Sequence, residues 1–503
     1  MIENLLTGFS VSLSFNNLIY CFIGCFLGTV IGVLPGLGPT ATIAMLLTVT
    51  YKLDLTSAVI MLSGIYYGAQ YGGTITSVLF SIPGEASTVV TVIDGYQMAL
   101  QGKAGKALGI AAFGSFIAGT VGTIALSIIA PPLSEFALMF GPPEYTTLMI
   151  LGLTLVVYLG TGSPLKSILM GALGLALGTI GLDPVTAVER FTFGSYSLLD
   201  GINVAVLAMG LFGIAEILYM AENVEVRFSR DMVRCPRKLR ELLPNRQDWK
   251  ISAKPIARGT VLGFFLGILP GGGAMISSFA SYALEKKLSK NPEKFGKGAI
   301  EGVAGPETAN NSAISGCFIP LLTLGIPSNV VMALLIGAFM LHGVTPGPFI
   351  MNKHPLIFWG IITSMYIGNV FLLILNIPLI RIFVKIMEVP FGLLSPLIVL
   401  ICVIGAYSLN NNPLDVILMM VFGGVGYLMR KFGYEPAPLV LAFVLGEMLE
   451  KALRQSLIIS QGSPLIFFTR PIALVLMVAT ILMITSPLYM RIFRNSHFGK
   501  TKS

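Results

Sequence analysis

Two glycine- and proline-rich stretches carry residue types that could form a ligand site inside a membrane. Five glycines and one proline occur twice in the same register, first as Gly24, Gly28, Gly32, Pro35, Gly36 and Gly38 and then, in the second half of the chain, as Gly259, Gly263, Gly267, Pro270, Gly271 and Gly273. Glycines four apart form a flat stripe on a helix, which lets a neighbouring helix approach closely. Proline removes a backbone donor and glycine permits unusual angles, so each Pro-Gly-x-Gly predicts a helix break. Broken membrane helices typically line a cavity or ligand site.

Hydroxyl side chains follow both breaks, where we expect new helices to begin. A weaker echo relates Ser81-Ile-Pro-Gly-Glu85 to Gly325-Ile-Pro-Ser-Asn329, with a slightly larger displacement along the chain. Helix N-termini suit a carboxylate, and no Arg or Lys falls inside the breaks, so backbone amides and hydroxyls must do most of the binding. We therefore predict a substrate site formed by Pro35, Gly36, Gly38, Thr40, Thr42, Pro83, Gly84, Gly271, Gly272, Gly273, Ser277, Ser278, Pro327, Ser328 and Asn329. Plain Pro/Gly kinks with Ser/Thr caps are the alternative.

A second polar cluster lies at the start of a long uncharged run. Carboxylate and amide oxygens there could coordinate a cation, and the amide NH2 groups could hold a substrate oxygen. The predicted cation-coupling candidates, for Na+ or H+, are Glu307, Thr308, Asn310 and Asn311. An interfacial helix cap with solvated Asn is the alternative reading. The stretch from Tyr66 to Ser77 is the comparable polar patch of the first half, without a charge.

Composition indicates which elements must position these residues. Of 503 residues, 54% are hydrophobic and 11% are charged, well below the charged fraction of a soluble chain. Uncharged runs such as 4–51, 55–84 and 308–352 are long enough for membrane helices and lack the alternation of barrel strands. We predict an all-α polytopic membrane protein of about 12 transmembrane helices, with re-entrant or broken segments and two structural repeats.

The basic residues predict the topology of these repeats. The first repeat covers residues 1–220 and the second 259–490, and between them lies a basic linker, 221–258, with ten Lys or Arg. The linker and the basic tail, 491–503, are expected in the cytoplasm by the positive-inside rule. The second repeat follows this linker, whereas the first follows an N-terminus without Lys or Arg, which favours inverted repeats. No aromatic or Gly-rich recognition pattern accompanies the basic clusters, so nucleic-acid binding is not expected.

Other function classes find little support in the sequence. No nucleotide-binding, metalloprotease, serine-hydrolase or redox motif occurs, so we expect neither an enzyme nor any cofactor apart from the coupling ion. The five cysteines have no metal spacing and read as packing residues. Lys166, Glu216 and Glu447 lie beside apolar stretches and are functional candidates or interfacial residues. His342 and His354 flank a Gly/Pro turn, where a loop position is favoured over a proton relay.

Several blocks together resemble one family. The blocks are Gly32-Val-Leu-Pro-Gly-Leu-Gly-Pro-Thr40, Tyr66-Tyr-Gly-Ala-Gln-Tyr-Gly-Gly-Thr74, Pro83-Gly-Glu85, Asp94-Gly-Tyr96, Arg190-Phe-Thr-Phe-Gly194, Gly267-Ile-Leu-Pro-Gly-Gly-Gly273, Glu301-Gly-Val-Ala-Gly-Pro-Glu-Thr-Ala-Asn-Asn311, Leu324-Gly-Ile-Pro327 and His342-Gly-Val-Thr-Pro-Gly-Pro348. In these blocks, and over nearly its whole length, the chain closely resembles the large transmembrane subunit of the bacterial tripartite tricarboxylate transporters, the TctA family.

The resemblance implies partners and an activity. Such subunits pair with a small four-helix membrane subunit in the bacterial inner membrane. They receive substrate from a periplasmic solute-binding protein, and a Na+ or H+ gradient drives import. Substrates of the family include citrate and other carboxylates. Ser81, Ser328 and Asn329 depart from the usual residues at two turns, so the expected cargo is a tricarboxylate or a related small carboxylate. A channel, or a transporter of another solute with the same architecture, is the alternative.

Overall fold

The computed structural model describes residues 2–34, 38–159, 163–183, 185–222, 239–386, 389 and 391–498, with the backbone alone at 159, 391 and 486–498. The predicted site residues Pro35 and Gly36 lie outside this part, as do residues 223–238 of the predicted linker and the end of the predicted tail. Helices of the first half are α1 Ile2–Ser12, α2 Phe15–Val33, α3 Pro39–Thr50, α4 Leu55–Phe80, α5 Val89–Leu100, α6 Ala104–Ala137, α7 Pro142–Leu159, α8 Pro164–Leu177, α9 Val204–Ala208 and α10 Ala215–Glu222. Helices of the second half are α11 Leu239–Leu242, α12 Arg246–Ile268, α13 Gly273–Leu288, α14 Glu301–Leu324, α15 Val330–Leu341, α16 Ile350–Lys353, α17 Pro355–Asn376, α18 Ile380–Ile386, α19 Phe391–Asn410, α20 Pro413–Lys431, α21 Pro436–Ile459, α22 Ile466–Thr469 and α23 Pro471–Phe498.

The remaining elements are short. A π-helical turn, Met209–Ile214, joins α9 to α10, and 3-10 turns span Ala86–Thr88, Tyr196–Leu198 and Pro292–Lys294. The β-hairpin of the loop after α8 pairs β1, Gly181–Leu182, with β2, Glu189–Arg190, in antiparallel register.

Membrane-length helices dominate the described part of the chain. Seven are long and apolar enough to cross a bilayer: Phe15–Val33, Ala104–Ala137, Val204–Glu222, Arg246–Ile268, Pro355–Asn376, Gly392–Asn410 and Pro413–Lys431. Four shorter apolar helices accompany them: Pro39–Thr50, Pro164–Leu177, Val330–Leu341 and Pro471–Thr485. The prediction of an all-α polytopic membrane protein is therefore confirmed, whereas the total of about 12 crossings stays a prediction.

The glycine stripes place one helix directly on the backbone of another. An added Cβ at Gly24, Gly28 or Gly32 of α2 would meet the carbonyl oxygens of Met61, Ile65 and Ala69 of α4, in that order. An added Cβ at Gly259, Gly263 or Gly267 of α12 would likewise meet the carbonyl oxygens of Gly305, Ala309 and Ala313 of α14. The displacement from each α4 contact residue to its α14 counterpart is constant, and we call it the repeat offset. Two helix pairs therefore repeat the same packing in the same register.

Both long helices of these pairs end in the same way. Ser81 after α4 and Gly325 after α14 are related by the same repeat offset, and both are left-handed, with φ values of 58° and 71°. A left-handed residue ends a helix because it turns the chain away from the helix axis. The duplicated unit is thus a helix, a break, a short helix, a long helix and a left-handed turn.

The two long helices cross in opposite directions. Thr74, late in α4, donates to the carboxylate of Glu307, early in α14, at 2.7 Å. Toward the other ends, Asn329 Nδ2 lies 3.1 Å from the Tyr66 hydroxyl of α4 and 3.2 Å from Cys317 Sγ of α14. Equivalent helices that run antiparallel are related by a two-fold axis perpendicular to them. In a bilayer such an axis lies in the membrane plane.

Two further helices make contacts that are related by this axis. Helix α6 of the first half packs on α14, and α17 of the second half packs on α4. Tyr71 of α4 donates to Asn369 of α17 at 3.1 Å. Ser315 is the counterpart of Tyr71 by the repeat offset and contacts Thr123 of α6 at 3.4 Å. Each half therefore supplies one helix that holds the other half.

Contacts at the helix ends define two faces of the molecule. Gln101 after α5 donates to the carbonyl of Lys297 at 2.8 Å, and an added Cβ at Gly109 of α6 would meet the Leu242 carbonyl of α11. We name this end the basic face, since it carries the basic segment 285–297 and the end of the predicted linker. At the opposite face, His342 Nε2 lies 3.0 Å from the carbonyl oxygen of Leu53.

Two helices extend into the predicted linker and the predicted tail. Helix α12 begins at Arg246, inside the predicted linker 221–258, because Asn245 and Asp248 form a reciprocal capping box there. Helix α23 continues to Phe498, beyond the predicted start of the tail at residue 491. Polar residues thus extend membrane helices past the uncharged runs that predicted them.

Candidate functional site

Gly38, the last residue of the first break, lies against the turn that follows α4. Pro39 occupies the first position of α3, and the Gly38 carbonyl accepts from Thr42 Oγ1 at 3.2 Å. A side chain at Gly38 would meet a carboxylate oxygen of Glu85 at 3.4 Å. Gly84 has no room for a Cβ, because the Gly32 carbonyl occupies that space. The turn, which also contains Pro83, therefore sits directly on the end of the α2 stripe.

The second break is held by a backbone hydrogen bond to the turn after α14. The Gly271 N–H donates to the Ser328 carbonyl at 2.8 Å. Gly271 and Gly273 have φ values of 79° and 60°, a conformation that L side chains rarely adopt. An added Cβ at Gly272 would meet the Leu266 carbonyl, and one at Gly273 would lie 3.7 Å from the Asn329 amide nitrogen. Pro327 belongs to this same turn.

Glu85 and Asn329 occupy equivalent positions in the two turns. They are related by the repeat offset, and each caps the helix that follows. Glu85 forms a capping box with Thr88, and Asn329 Oδ1 accepts from the Met332 N–H at 3.0 Å. Asn329 was predicted as a site residue and Glu85 was not, although the repeat offset already paired them in the sequence.

The helix that follows each break packs on an element of the opposite half. Helix α13, which starts the second half after its break, packs on the 3-10 turn Ala86–Thr88 of the first half. Helix α3 of the first half packs on α15, which follows the second turn. The described residues at the two breaks and the two turns consequently lie around one centre. Most of the predicted substrate residues that the structure describes border it.

The predicted hydroxyl groups donate to backbone carbonyls in this conformation. Ser277 donates to the Gly273 carbonyl at 2.7 Å and Ser278 donates to the Pro306 carbonyl at 3.3 Å, as Thr42 does to Gly38. Thr40 is half-buried in the first turn of α3. The oxygens of these hydroxyls still have acceptor capacity, whereas the donors at this centre are the backbone N–H groups of helix starts.

Glu307 is a carboxylate enclosed between the two halves. Its side chain is 1% exposed and accepts from Thr74 Oγ1 of α4, from Thr91 Oγ1 of α5 and, at 3.4 Å, from Asn310 Nδ2. Among the described residues no Lys, Arg or His forms an ion pair with it. A buried carboxylate without a positive partner is costly, which favours its neutralisation by a proton or a cation.

Of the other predicted coupling residues, Asn310 and Asn311 belong to the polar cluster around Glu307, whereas Thr308 packs at the glycine stripe. Asn311 Nδ2 donates to Ser115 Oγ of α6 at 2.8 Å and to the Glu307 carbonyl at 3.0 Å. Thr308 instead donates to backbone carbonyls of its own helix and lies where a side chain at Gly259 would fall. No group of three His, Cys, Asp or Glu with metal-site geometry occurs in the described part of the chain.

Sequence reasoning missed Thr74 and Thr91 as partners of Glu307. Thr74 belongs to the polar run 66–77, which was noted as a patch without a role. Thr91 lies in the apolar helix α5, where one threonine gives no signal because threonine commonly caps its own backbone there. Only the fold brings α5 to α14.

Two isolated ionisable residues of the first half have partners in the second half. Lys166 Nζ donates to the Phe432 carbonyl at 2.6 Å, and Glu216 pairs with Arg430.

In the loop after α8, the N–H groups of Thr186 and Val185 donate to Asp183 at 2.8 and 2.9 Å. These hydrogen bonds, with a smaller contribution from Arg454, hold the pKa of Asp183 well below its usual range.

Comparisons with known proteins identify one family and two uncharacterized relatives. The family model described as "Tripartite tricarboxylate transporter TctA family" matches residues 18–441. An uncharacterized 52.8 kDa protein in the TAR-I ttuC' 3' region of Agrobacterium vitis is 52% identical over 473 residues, which cover 94% of this chain and 93% of that protein. A second Agrobacterium vitis protein, from the TAR-II ttuC' 3' region and also uncharacterized, is 58% identical over 211 residues, or 42% of this chain and 87% of its own. No solved structure matches the chain.

Proposed function

Because the chain belongs to the tripartite tricarboxylate transporter TctA family, we propose that it is the large membrane subunit of a secondary transporter that imports tricarboxylates or related small carboxylates. The observation that carries this proposal is the single centre formed by two helix breaks and two turns, related by a two-fold axis. A centre of this kind supports alternating access, because either half can move against the other around a fixed ligand.

The chemistry of the centre suits an anion without an arginine clamp. Helices α3 and α13 both begin there, and their first N–H groups lack partners within the helix. The dipole of each helix adds positive potential at the same end. Asn329 Nδ2 also lies close by, where it donates to the Tyr66 hydroxyl and contacts Cys317 Sγ. A small carboxylate would therefore be bound mainly by backbone amides, and the Asn329 amide and the hydroxyl groups would donate to it only by exchanging their present acceptors.

Glu307 supplies the coupling site in this proposal. It is buried, has no cationic partner among the described residues, and is held by one residue from α4, one from α5 and one from its own helix. A Na+ ion or a proton would neutralise it, and its occupancy would alter the contact between the halves. Asn310 and Asn311 contribute amide oxygens to the same region, whereas Thr308 packs at the glycine stripe.

The remaining parts of the proposal concern partners and orientation. A small four-helix membrane subunit would complete the transporter in a bacterial inner membrane, and a periplasmic solute-binding protein would deliver the substrate. The basic face would lie in the cytoplasm, in agreement with the positive-inside rule. The hairpin of residues 181–190 would then face the periplasm.

Uptake by cells that produce the complete transporter tests the proposal. Wild-type cells and a Gly271→Leu variant would receive labelled citrate and a panel of di- and tricarboxylates, with the Na+ and H+ gradients dissipated in turn. The variant should lose uptake, because a side chain at this left-handed residue displaces the second break. Gly102→Leu is the matched control, since Gly102 is also left-handed with a φ of 75° but has open space around it.

The outcomes separate this function from its rivals. Both variants must reach wild-type levels in the membrane and elute as monodisperse protein. Full uptake by Gly271→Leu would overturn the placement of the site. Flux that does not saturate and ignores both gradients would indicate a channel. Uptake of no carboxylate by the wild-type system would overturn the substrate class.

A further inference from the structure

A large cavity lies outside the centre of breaks and turns. Its volume is about 920 Å³, within the range typical of small-molecule sites. Apolar side chains of α3, α7 and α15, among them Leu47 and Ile336, form its walls. Asn203 and Val204 also line it, at the start of the span whose other end, Glu222, leads into the basic linker. The cavity is therefore on the face opposite the basic face.

The polar lining of this cavity carries excess positive charge. Lys353, His354 and Lys451 line it together with a single acidic residue, Glu447. Within the described residues neither lysine forms an ion pair with a carboxylate, although Glu447 and Lys451 are one helical turn apart on α21. Lys353 Nζ lies 5.4 Å from the ring centre of Phe349. Lysines in a cleft with low-dielectric walls raise the local concentration of anions.

The inner end of the cavity reaches the second turn of the site. Leu324 and Gly325 line it, and Gly325 begins the turn in which the Ser328 carbonyl holds the Gly271 N–H. Asn329 follows directly in that turn. A ligand in the cavity is thus separated from the second break by the thickness of one turn.

We infer that this cavity is an anion-binding vestibule for a small carboxylate, in which Lys353 and Lys451 concentrate the substrate before it reaches the helix breaks. The inference rests on the proposed function for the identity of the ligand. Glu447 opposes the two lysines and limits how tightly the vestibule retains the anion. The vestibule and the central site differ in chemistry, because lysine side chains serve the first and backbone amides the second.

Charge substitutions with opposite expected signs test the vestibule. In the complete transporter, the double variant Lys353→Gln/Lys451→Gln should raise the KM for carboxylate uptake about tenfold and leave the maximal rate near that of the wild type. Glu447→Gln should lower the KM about threefold, because it removes the opposing charge. Lys451→Arg should retain the wild-type KM. Lys290→Gln, at an exposed lysine of the basic face, is the matched control and should have no effect.

Titration of the purified full-length subunit with citrate at low and high salt gives a readout independent of transport. Wild-type binding should weaken with salt, and the double variant should bind weakly at both concentrations. A wild-type KM in the double variant, or a Glu447→Gln shift in the same direction as the double variant, would overturn the vestibule. Salt-sensitive citrate binding that needs both lysines, in a system that takes up no carboxylate, would support the vestibule and overturn the proposed function instead.

Discussion

The two turns of the site have the same backbone but different chemistry. Each follows a long helix, starts at a left-handed residue and caps the next helix, yet the capping residue is Glu85 in the first half and Asn329 in the second. The buried carboxylate of the second half, Glu307, corresponds by the repeat offset to Ser63 in the first. Duplication has thus preserved the positions of the helices and allowed the charges to differ. The two halves therefore share the same helix packing but differ in their charged and polar residues.

Substitutions in the two glycine stripes should cause the largest losses of stability, and the losses should be similar in both halves. Gly32→Ala and Gly267→Ala each place a Cβ against a backbone carbonyl, of Ala69 and of Ala313, which cannot rotate away. Overpacking of this kind costs about 1–3 kcal/mol, and we expect similar losses for both variants. The apparent Tm of the purified protein measures them. Gly424→Ala, at a helical glycine with open space around it, should leave the Tm unchanged. A loss in only one stripe would break the equivalence of the halves.

Substitutions of Glu307 and of Ser63 should differ most in their effect on substrate uptake. Glu307→Gln keeps one oxygen that can accept from Thr74 or Thr91 but can no longer release a proton or neutralise a cation, so gradient-driven accumulation should fall to background. Exchange of labelled for unlabelled substrate should persist, since the central site is intact. Ser63→Ala changes the equivalent buried position, and its uptake should match the wild type. Accumulation by Glu307→Gln at the wild-type rate would remove it from the coupling site.

Asn329→Asp makes the second turn acidic, like the first. It tests whether the difference between the two capping residues matters for transport. The new carboxylate keeps the acceptor for Met332 but loses the donor to Tyr66, and it repels an anionic substrate. We expect the KM of carboxylate uptake to rise about tenfold, equivalent to about 1.4 kcal/mol. Asn412→Asp is the matched control, because Asn412 caps α20 through the same kind of bond to Leu414, and α20 packs on α10, α19 and the π-helical turn. An unchanged KM would show that the substrate does not approach this turn.

Asp183 should give the smallest effect, in a loop outside the duplicated helices. Its folded-state pKa is depressed, so its stabilising contribution is complete above the usual carboxyl pKa of about 4 and is lost as the pH falls through the lower folded value. Cleavage by pepsin at the exposed Phe191 and Phe193 should therefore increase only as the pH drops below about 4. Asp183→Asn should be cleaved by chymotrypsin at neutral pH. Asp200→Asn, at an exposed carboxylate of the same loop, should resemble the wild type, and equal cleavage of both variants would contradict the role of Asp183.

Much of the fold could be predicted because its signals are local. A helix break needs proline and glycine at adjacent positions, and close helix packing needs glycine every fourth residue, so both features are visible in one stretch of chain. The repeat offset, visible in the sequence as the echo of the two turns, also paired Glu85 with Asn329. The partners of Glu307 could not be predicted in this way. Thr91 reaches the carboxylate only because α5 and α14 pack together, and that contact depends on the whole arrangement of the halves.

Ion pairs between distant parts of the chain could not be predicted from the sequence either. Glu216 and Arg430 belong to different halves of the chain, and nothing near either residue indicates the other. Glu447 gave the same signal as Glu216, a lone carboxylate beside an apolar stretch. It nevertheless lines a cavity rather than forming an ion pair among the described residues. A single ionisable residue in a membrane protein thus marks a position of interest without indicating which of these roles it has.

The glycine stripes have a consequence for how such a protein could move. Helices that touch through their backbones have no side-chain rotamers at the contact to rearrange, so they cannot slide past each other by small repacking steps. Each pair, α2 with α4 and α12 with α14, should behave as one stiff lever that carries its turn at the end. Motion would then be concentrated in the short connections, and the distance between a turn and its own break would stay constant while the distance between the halves changes.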